Sequence, residues 1–337
     1  MMLIRPVTMK DHPEILGLAK EAGIGMTSLP PDADVLERKI AFAVGSFSGK
    51  AENKGDERFL FALEDTETKK LVGTCGIVAH VGLKRPFYSY KLSTIVQAAQ
   101  NLDVYSLQRV LHMVNDYTGA TEIGSLFLQS AYRRDGIGRF LSRSRYLMIA
   151  EFSEFFSDTV ISEIRGVQDE HSDSPFYKNL AQHFFHMDFK KADFIAATQG
   201  TQFISDLMPK YPIYVNLLDK RAQDVIGVPL KASLPAMQML EAEGFRYQGY
   251  IDVFDGGPTM QAERARIHTV RKSKKLPVTA IKPVTGDKMY MVSAGEVANF
   301  RAALTKVSPD VDGITLDAEA AKHLQVKVGD DVRVIEL

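Results

Sequence analysis

Two groups of residues in this chain of 337 have the types and spacing to do chemistry. The first is Arg133-Arg134-Asp135-Gly136-Ile137-Gly138. Two glycines let a backbone curl closely round a ligand. From Ile137 the apolar residues Phe140, Leu141, Tyr146, Leu147 and Ile149 take helical spacing. The glycines therefore sit where a helix starts, and the free amides of a helix start favour an anion. Arg133, Arg134 and Arg139 add positive charge beside that spot. The second group is Asp169, Glu170, His171 and Asp173, packed into five positions. Glu170 and His171 are of the types that take or relay a proton.

The elements that position these residues can be read from the same pattern. Before the arginines, Ile123, Leu126, Phe127 and Leu128 read as a buried strand, so the glycines form a strand-to-helix joint. The joint is neither a P-loop nor a dinucleotide-binding glycine motif, because the spacings differ. At the start of the chain, residues 2–6 read as a short edge-like strand that Pro6 ends. Two amphipathic helices follow, residues 11–22 and 35–47. Residues 59–64 and 71–78 form a hairpin around the polar turn 65–70. Residues 80–120 are an insertion, expected as an added strand or hairpin covering the sheet. Residues 160–165 are another strand, and Ser174-Pro175 is a cap with proline opening a helix that runs to Phe185. A helical region of about residues 167–232 includes a helix from Tyr214 to Ile226. Residues 235–253 read as helix, glycine stop and strand, and Phe254-Asp255-Gly256-Gly257-Pro258-Thr259 as a tight turn. From about residue 276 the chain turns rich in Val and short strands, as a small β-barrel-like C-terminal subdomain of residues 276–337.

Composition bounds the function. The chain is 45% hydrophobic and 25% charged, with net charge −1. Its global charge gives no reason to expect nucleic acid or membrane as a partner. Its one cysteine, Cys75, permits no internal disulfide, which fits the cytoplasm. No apolar run approaches the roughly 18 residues of a membrane span. His183 and His186 are near one another in sequence, but no third ligand is visible, so no metal is expected.

The loop from Arg133 to Gly138 resembles the Arg/Gln-x-x-Gly-x-Gly/Ala signature of the GNAT acyltransferases. The order strand, helix, helix, hairpin, strand is similar to a GNAT core. The likeness narrows with Thr27-Ser28-Leu29-Pro30, Asp169-Glu170-His171 with Ser174-Pro175-Phe176, residues 207–214, residues 223–227 and Phe254-Asp255-Gly256-Gly257-Pro258-Thr259. Together these resemble the arginine N-succinyltransferase family.

The resemblance implies an α+β (mixed αβ) fold with a twisted, mostly antiparallel sheet flanked by helices. Its acyltransferase domain spans residues 1–275, with insertions near 80–120 and 167–232. It implies transfer of succinyl from succinyl-CoA to the α-amine of arginine or ornithine, the first step of a bacterial arginine breakdown pathway. No permanently bound cofactor is expected, since succinyl-CoA is a co-substrate. Leu126, Phe127 and Leu128 would contact acyl-CoA, with Arg133, Arg134, Gly136, Ile137 and Gly138 at its pyrophosphate. A guanidinium wants bidentate carboxylate partners, which Asp169, Asp173 or Asp255 could supply beside Glu170. Some members are built from two related chains, so a homo- or hetero-oligomer is expected. One family feature departs here. Leu230 stands where members carry a histidine assigned as proton donor, and Leu240 stands where other GNAT enzymes carry a tyrosine acid. That departure leaves two alternatives open: a catalytically weak or silent acyl-CoA-binding subunit, or another acyl group or amine.

Overall fold

A computed structural model describes residues 1–23, 26–50 and 55–337. The chain opens with strand β1 (Met2–Pro6), helices α1 (His12–Ala22) and α2 (Ala33–Phe47), and the hairpin β2 (Arg58–Asp65) and β3 (Lys70–Val78). Asp32 caps α2 by accepting from the Val35 N–H. A longer hairpin follows, β4 (Ser89–Ala99) and β5 (Val104–Val114), then β6 (Thr121–Leu128) and α3 (Ile137–Glu151). After β7 (Thr159–Glu163) come short helices: α4 (Pro175–Asn179), α5 (Gln182–Phe185), α6 (Phe189–Gln199) and α7 (Gln202–Leu207). Next are β8 (Ile213–Tyr214), α8 (Lys220–Val225), α9 (Leu234–Glu243), β9 (Arg246–Asp252) and β10 (Pro258–Glu263). The chain closes with α10 (His268–Lys272), β11 (Lys274–Ile281), β12 (Met289–Ala294), β13 (Arg301–Lys306), β14 (Ser308–Pro309), β15 (Ile314–Leu316), α11 (Ala318–Leu324) and β16 (Asp331–Glu336).

The chain divides into two units. The first comprises Met1–His80, Thr121–Asp158 and Glu263–Leu337. Its strand order is β14-β15-β11-β16-β12-β13-β1-β2-β3-β6, and the recorded pairs are antiparallel except β11 with β15. Helices α1 and α2 bury Ile15, Leu18, Leu36 and Ile40 against Leu60, Ala62 and Leu71 of the hairpin. Their helical spacing puts these residues on one face, and burying that face is what fixes both helices to the sheet. Strand β1 was expected at an edge, yet it pairs with both β13 and β2. Pro6 has no N–H to donate, and pairing with β13 stops at Ile4 while pairing with β2 runs on to Pro6. The second partner comes from residues 301–306, far beyond any local pattern. Through that pair, the strands expected as a C-terminal subdomain join the first unit's sheet.

The second unit comprises Val81–Ala120 and Thr159–Ala262, with strand order β7-β10-β9-β4-β5-β8. The expected insertion is the β4–β5 hairpin. It lies within the sheet, since β4 pairs with β9 from Ser89↔Asp252 to Lys91↔Tyr250. Phe176, Tyr177, Leu180, Phe185 and Phe254 form an aromatic-rich core under the short helices. The helix expected from residue 175 to 185 is two pieces. The chain leaves helical geometry at Leu180, whose side chain is buried in that core. The helix expected from Tyr214 starts only at Lys220, after Asp219 caps it. Tyr214 itself pairs with Val110 as a strand, a long-range bond that overrides local helical pattern.

Candidate active site

Strand β6 does not pair evenly. Against β3, Phe127 faces Thr74 and Gly124 faces Gly76, so β6 carries one more residue than β3 in this interval. That is a β-bulge, and it leaves a residue of the Ser125–Leu126 pair without a partner in β3. Ser125 has φ +50°, a conformation that costs an L-residue roughly 1–2 kcal/mol. Three hydrogen bonds hold it there. The Ser125 N–H donates to Ser28 Oγ at 3.2 Å, Ser125 Oγ donates to the Ser28 carbonyl at 3.4 Å, and Thr74 Oγ1 donates to the Ser125 carbonyl at 2.9 Å. Glycine at 73 makes room beside the bulge, because a Cβ there would lie 2.6 Å from the Phe127 carbonyl oxygen. The bulge is thus built into the fold, with Leu126 beside its bend.

Beyond Leu128 the chain makes the tight joint. Arg133 Nε donates back to the Leu128 carbonyl at 2.9 Å, and the Ile137 N–H donates to the Arg134 carbonyl at 3.0 Å. Gly136, at φ +78°, is the N-cap of α3 and offers no side chain to its first turn. An uncapped N-terminus on a fifteen-residue helix has amides and dipole available to an anion. Arg134 projects beside it, 71% exposed and only 3.8 Å from the similarly exposed Asp135. A Cβ at Gly136 would meet Leu337 at 2.5 Å, whereas one at Gly138 would meet nothing nearer than Leu128 at 3.8 Å. The two glycines therefore differ: the first is required by backbone and packing, the second leaves open space.

At the other end of β6 is a residue that sequence reasoning missed. Glu122 is half-buried, and burial raises its carboxyl above the usual range against the pull of Arg58 and Lys39. A carboxylate with a raised pKa is what a proton acceptor from an amine requires. Its signal was a lone acid in the first positions of an apolar strand, four residues before Leu126.

The remaining expected residues lie in the second unit. Asp169 and Glu170 are exposed, as is His171, while Asp173 is half-buried. Asp169 Oδ1 accepts from the N–H groups of Asp173 and His171, both at 2.9 Å, and these bonds hold its carboxyl below the usual range. Asp169 thus shapes the loop with one oxygen. Asp255 is only 1% exposed. Its Oδ1 accepts from the Gly257 N–H at 2.9 Å, and its Oδ2 lies 3.3 Å from Arg165 Nε. Arg165 also donates to Asp193 at 2.7 Å. Beside them, half-buried Asp252 is pushed up to about 7 by desolvation and by Asp255. The tight turn at 254–259 is therefore a clasp on Arg165, and Asp255 faces that guanidinium instead of solvent. Glycine is needed in the clasp: a Cβ at Gly166 would lie 2.4 Å from the Asp255 carbonyl oxygen.

Residues 2–269 match the family described as arginine N-succinyltransferase beta subunit. Residues 274–336 match the family described as the C-terminal domain of that same beta subunit. The arginine N-succinyltransferase of Escherichia coli strain K12 / DH10B is 41% identical over 338 residues, spanning 100% of this chain and 98% of the relative. That of Escherichia coli O157:H7 strain EC4115 / EHEC matches to the same extent, 41% over 338 residues. A solved structure described as arginine/ornithine succinyltransferase subunit AI from Pseudomonas aeruginosa is 33% identical, with TM-score 0.91 over 100% of this chain and 98% of that one. The mixed αβ architecture with its mostly antiparallel sheet agrees with that structure.

Proposed function

The chain belongs to the arginine N-succinyltransferase family, and from that premise we propose that it transfers succinyl from succinyl-CoA to the α-amine of arginine or ornithine. The observation that carries the chemistry is the bulge at Ser125–Leu126 running into the uncapped start of α3. The bulge frees backbone groups of β6 to pair with the pantetheine arm, and the helix start takes the pyrophosphate. Arg133 fixes the loop through Leu128, while Arg134 and Arg139 supply charge toward the phosphates.

An N–H of the segment from Leu126 to Leu128 polarises the thioester carbonyl, with the negative charge of the tetrahedral state falling on that oxygen. Glu122 accepts the proton that the attacking amine loses. Positioning of both substrates supplies much of the remaining acceleration. The thiolate leaves without a donor at position 230, because leucine has no proton to give. In the loop of Asp169, Glu170, His171 and Asp173, the carboxylates take the guanidinium of arginine or the terminal ammonium of ornithine.

A single-turnover assay tests the whole. The purified chain is mixed with succinyl-CoA and arginine or ornithine, and thiol release is followed. Succinylated amino acid formed at one equivalent per chain supports the proposal. Tight acyl-CoA binding without turnover would instead favour the silent-subunit reading, which the leucine at position 230 motivates.

A further inference from the structure

The acyl group of succinyl-CoA ends in a carboxylate, and a selective enzyme needs a cation where that carboxylate falls. The first unit contains one next to the bulge. Lys39, on α2, donates from Nζ to the carbonyls of Thr27 and Ser28, each at 3.2 Å. The Ser28 carbonyl also accepts from Ser125 Oγ at 3.4 Å. Lys39 and the bulge residue therefore share one acceptor oxygen. An ammonium has three donors, and among the described residues these two bonds leave the third free.

The charges around Lys39 are unbalanced. The charged groups that face it are Arg58 and Glu122, among the described residues. Two cations stand against one carboxylate. Arg58 is itself partly engaged, with its guanidinium 5.6 Å from the Phe42 ring centroid. Burial, and then Arg58, lower the Lys39 ammonium to about 8, with Glu122 opposing. An incoming carboxylate would supply the missing negative charge at a half-buried cation, where such a contact is less screened than at the surface.

We propose that Lys39 binds the distal carboxylate of the acyl group and so selects succinyl over uncharged acyl donors. The assignment rests on the acyl-CoA site proposed above. It also gives Thr27 and Ser28 a purpose: their carbonyls aim the ammonium, while Ser28 braces the bend in β6.

The test is binding without an amine, so that no turnover intervenes. Dissociation constants are measured by calorimetry on the full chain for CoA, succinyl-CoA and butyryl-CoA, which has the same carbon count and no carboxylate. The wild-type chain should prefer succinyl-CoA over butyryl-CoA by roughly ten- to hundredfold, the range for one charge-assisted hydrogen bond. Lys39→Met should erase that preference and leave CoA affinity within about twofold, and Lys39→Arg should restore part of it. A preference that survives in Lys39→Met overturns the assignment. An equal loss for all three ligands also overturns it, since Lys39 would then only hold the loop at Ser28. Failure of the wild-type chain to bind CoA at all would sink the acyl-CoA site itself, a different outcome from either.

Discussion

The backbone N–H of Leu230 donates to the carbonyl of Arg165 at 2.7 Å. Pro229 pairs with Gly166 in an isolated bridge, and the Gly227 N–H donates to the Gly256 carbonyl at 2.8 Å. Position 230 is thereby pinned to the end of β7, whatever its side chain. A histidine placed there would inherit a fixed backbone. Leu230→His should raise kcat by about tenfold or more, toward the lower range of general acid catalysis. Succinyl-CoA consumption with arginine, followed over a range of pH, reads this. Equal rates in both proteins would mean that the thiolate needs no donor from this position.

The anion site can be tested at Gly138, where a side chain has room. Gly136→Val is a poor probe, because φ +78° and the contact with Leu337 would strain the fold directly. In Gly138→Glu a negative charge enters the first turn of α3, which favours the helix electrostatically but repels a pyrophosphate. Thermal stability should stay close to wild type while CoA affinity falls at least about tenfold. Unchanged affinity would remove the phosphate role of this loop.

Glu122 and Glu170 should separate by kinetic signature. Glu122→Gln should lower kcat by roughly 10²–10⁴ with CoA affinity intact. Because its carboxyl is raised above the usual carboxylate range, the acid limb of the wild-type pH–rate profile should also lie above that range and vanish in the variant. Glu170→Gln should instead raise KM for arginine, the sign of a lost substrate contact. Steady-state rates with both substrates varied will show which residue moves which constant. A Glu122→Gln enzyme with wild-type kcat would return the proton to another acceptor.

Asp252 should make stability depend on pH. In the fold its carboxyl keeps a proton up to about 7, while in the unfolded chain it releases it near ~4. Between those values the native state binds the extra proton, so stability falls as pH rises from about 4 through about 7 and levels off above. Asp252 Oδ1 accepts from the N–H groups of Phe254 and Asp255, both at 2.8 Å, and an asparagine oxygen can accept the same bonds. Asp252→Asn should therefore flatten that decline and melt no lower than wild type at pH 8. Melting curves from pH 5 to 8 decide it. A variant with the wild-type slope would show that another group sets the pH dependence.

What was legible in the sequence was local. The glycine joint and the period change at Ile137 depend on residues a few positions apart, and they placed the start of α3. Family motifs then carried the activity. The hairpin of β2 and β3 and the run from α9 through Gly244 to β9 were legible for the same reason.

Three features were decided only when distant segments met. Pairing between β1 and β13 buried a strand that looked like an edge, because residues 2–4 found partners at 302–304. Asp255 faces Arg165, ninety positions earlier in the chain, at 3.3 Å, a pairing that no local pattern announces. Ser28 and Ser125 lie 97 residues apart, and no local pattern links one to the other. Only the fold brings them together, because the positive φ at Ser125 can be maintained only where another segment supplies the hydrogen bonds that hold it. Composition and periodicity report which residues prefer burial and at what spacing. They carry no information about which unpaired backbone group another chain segment will satisfy, and in this protein that choice bends β6 at the candidate acyl-CoA site.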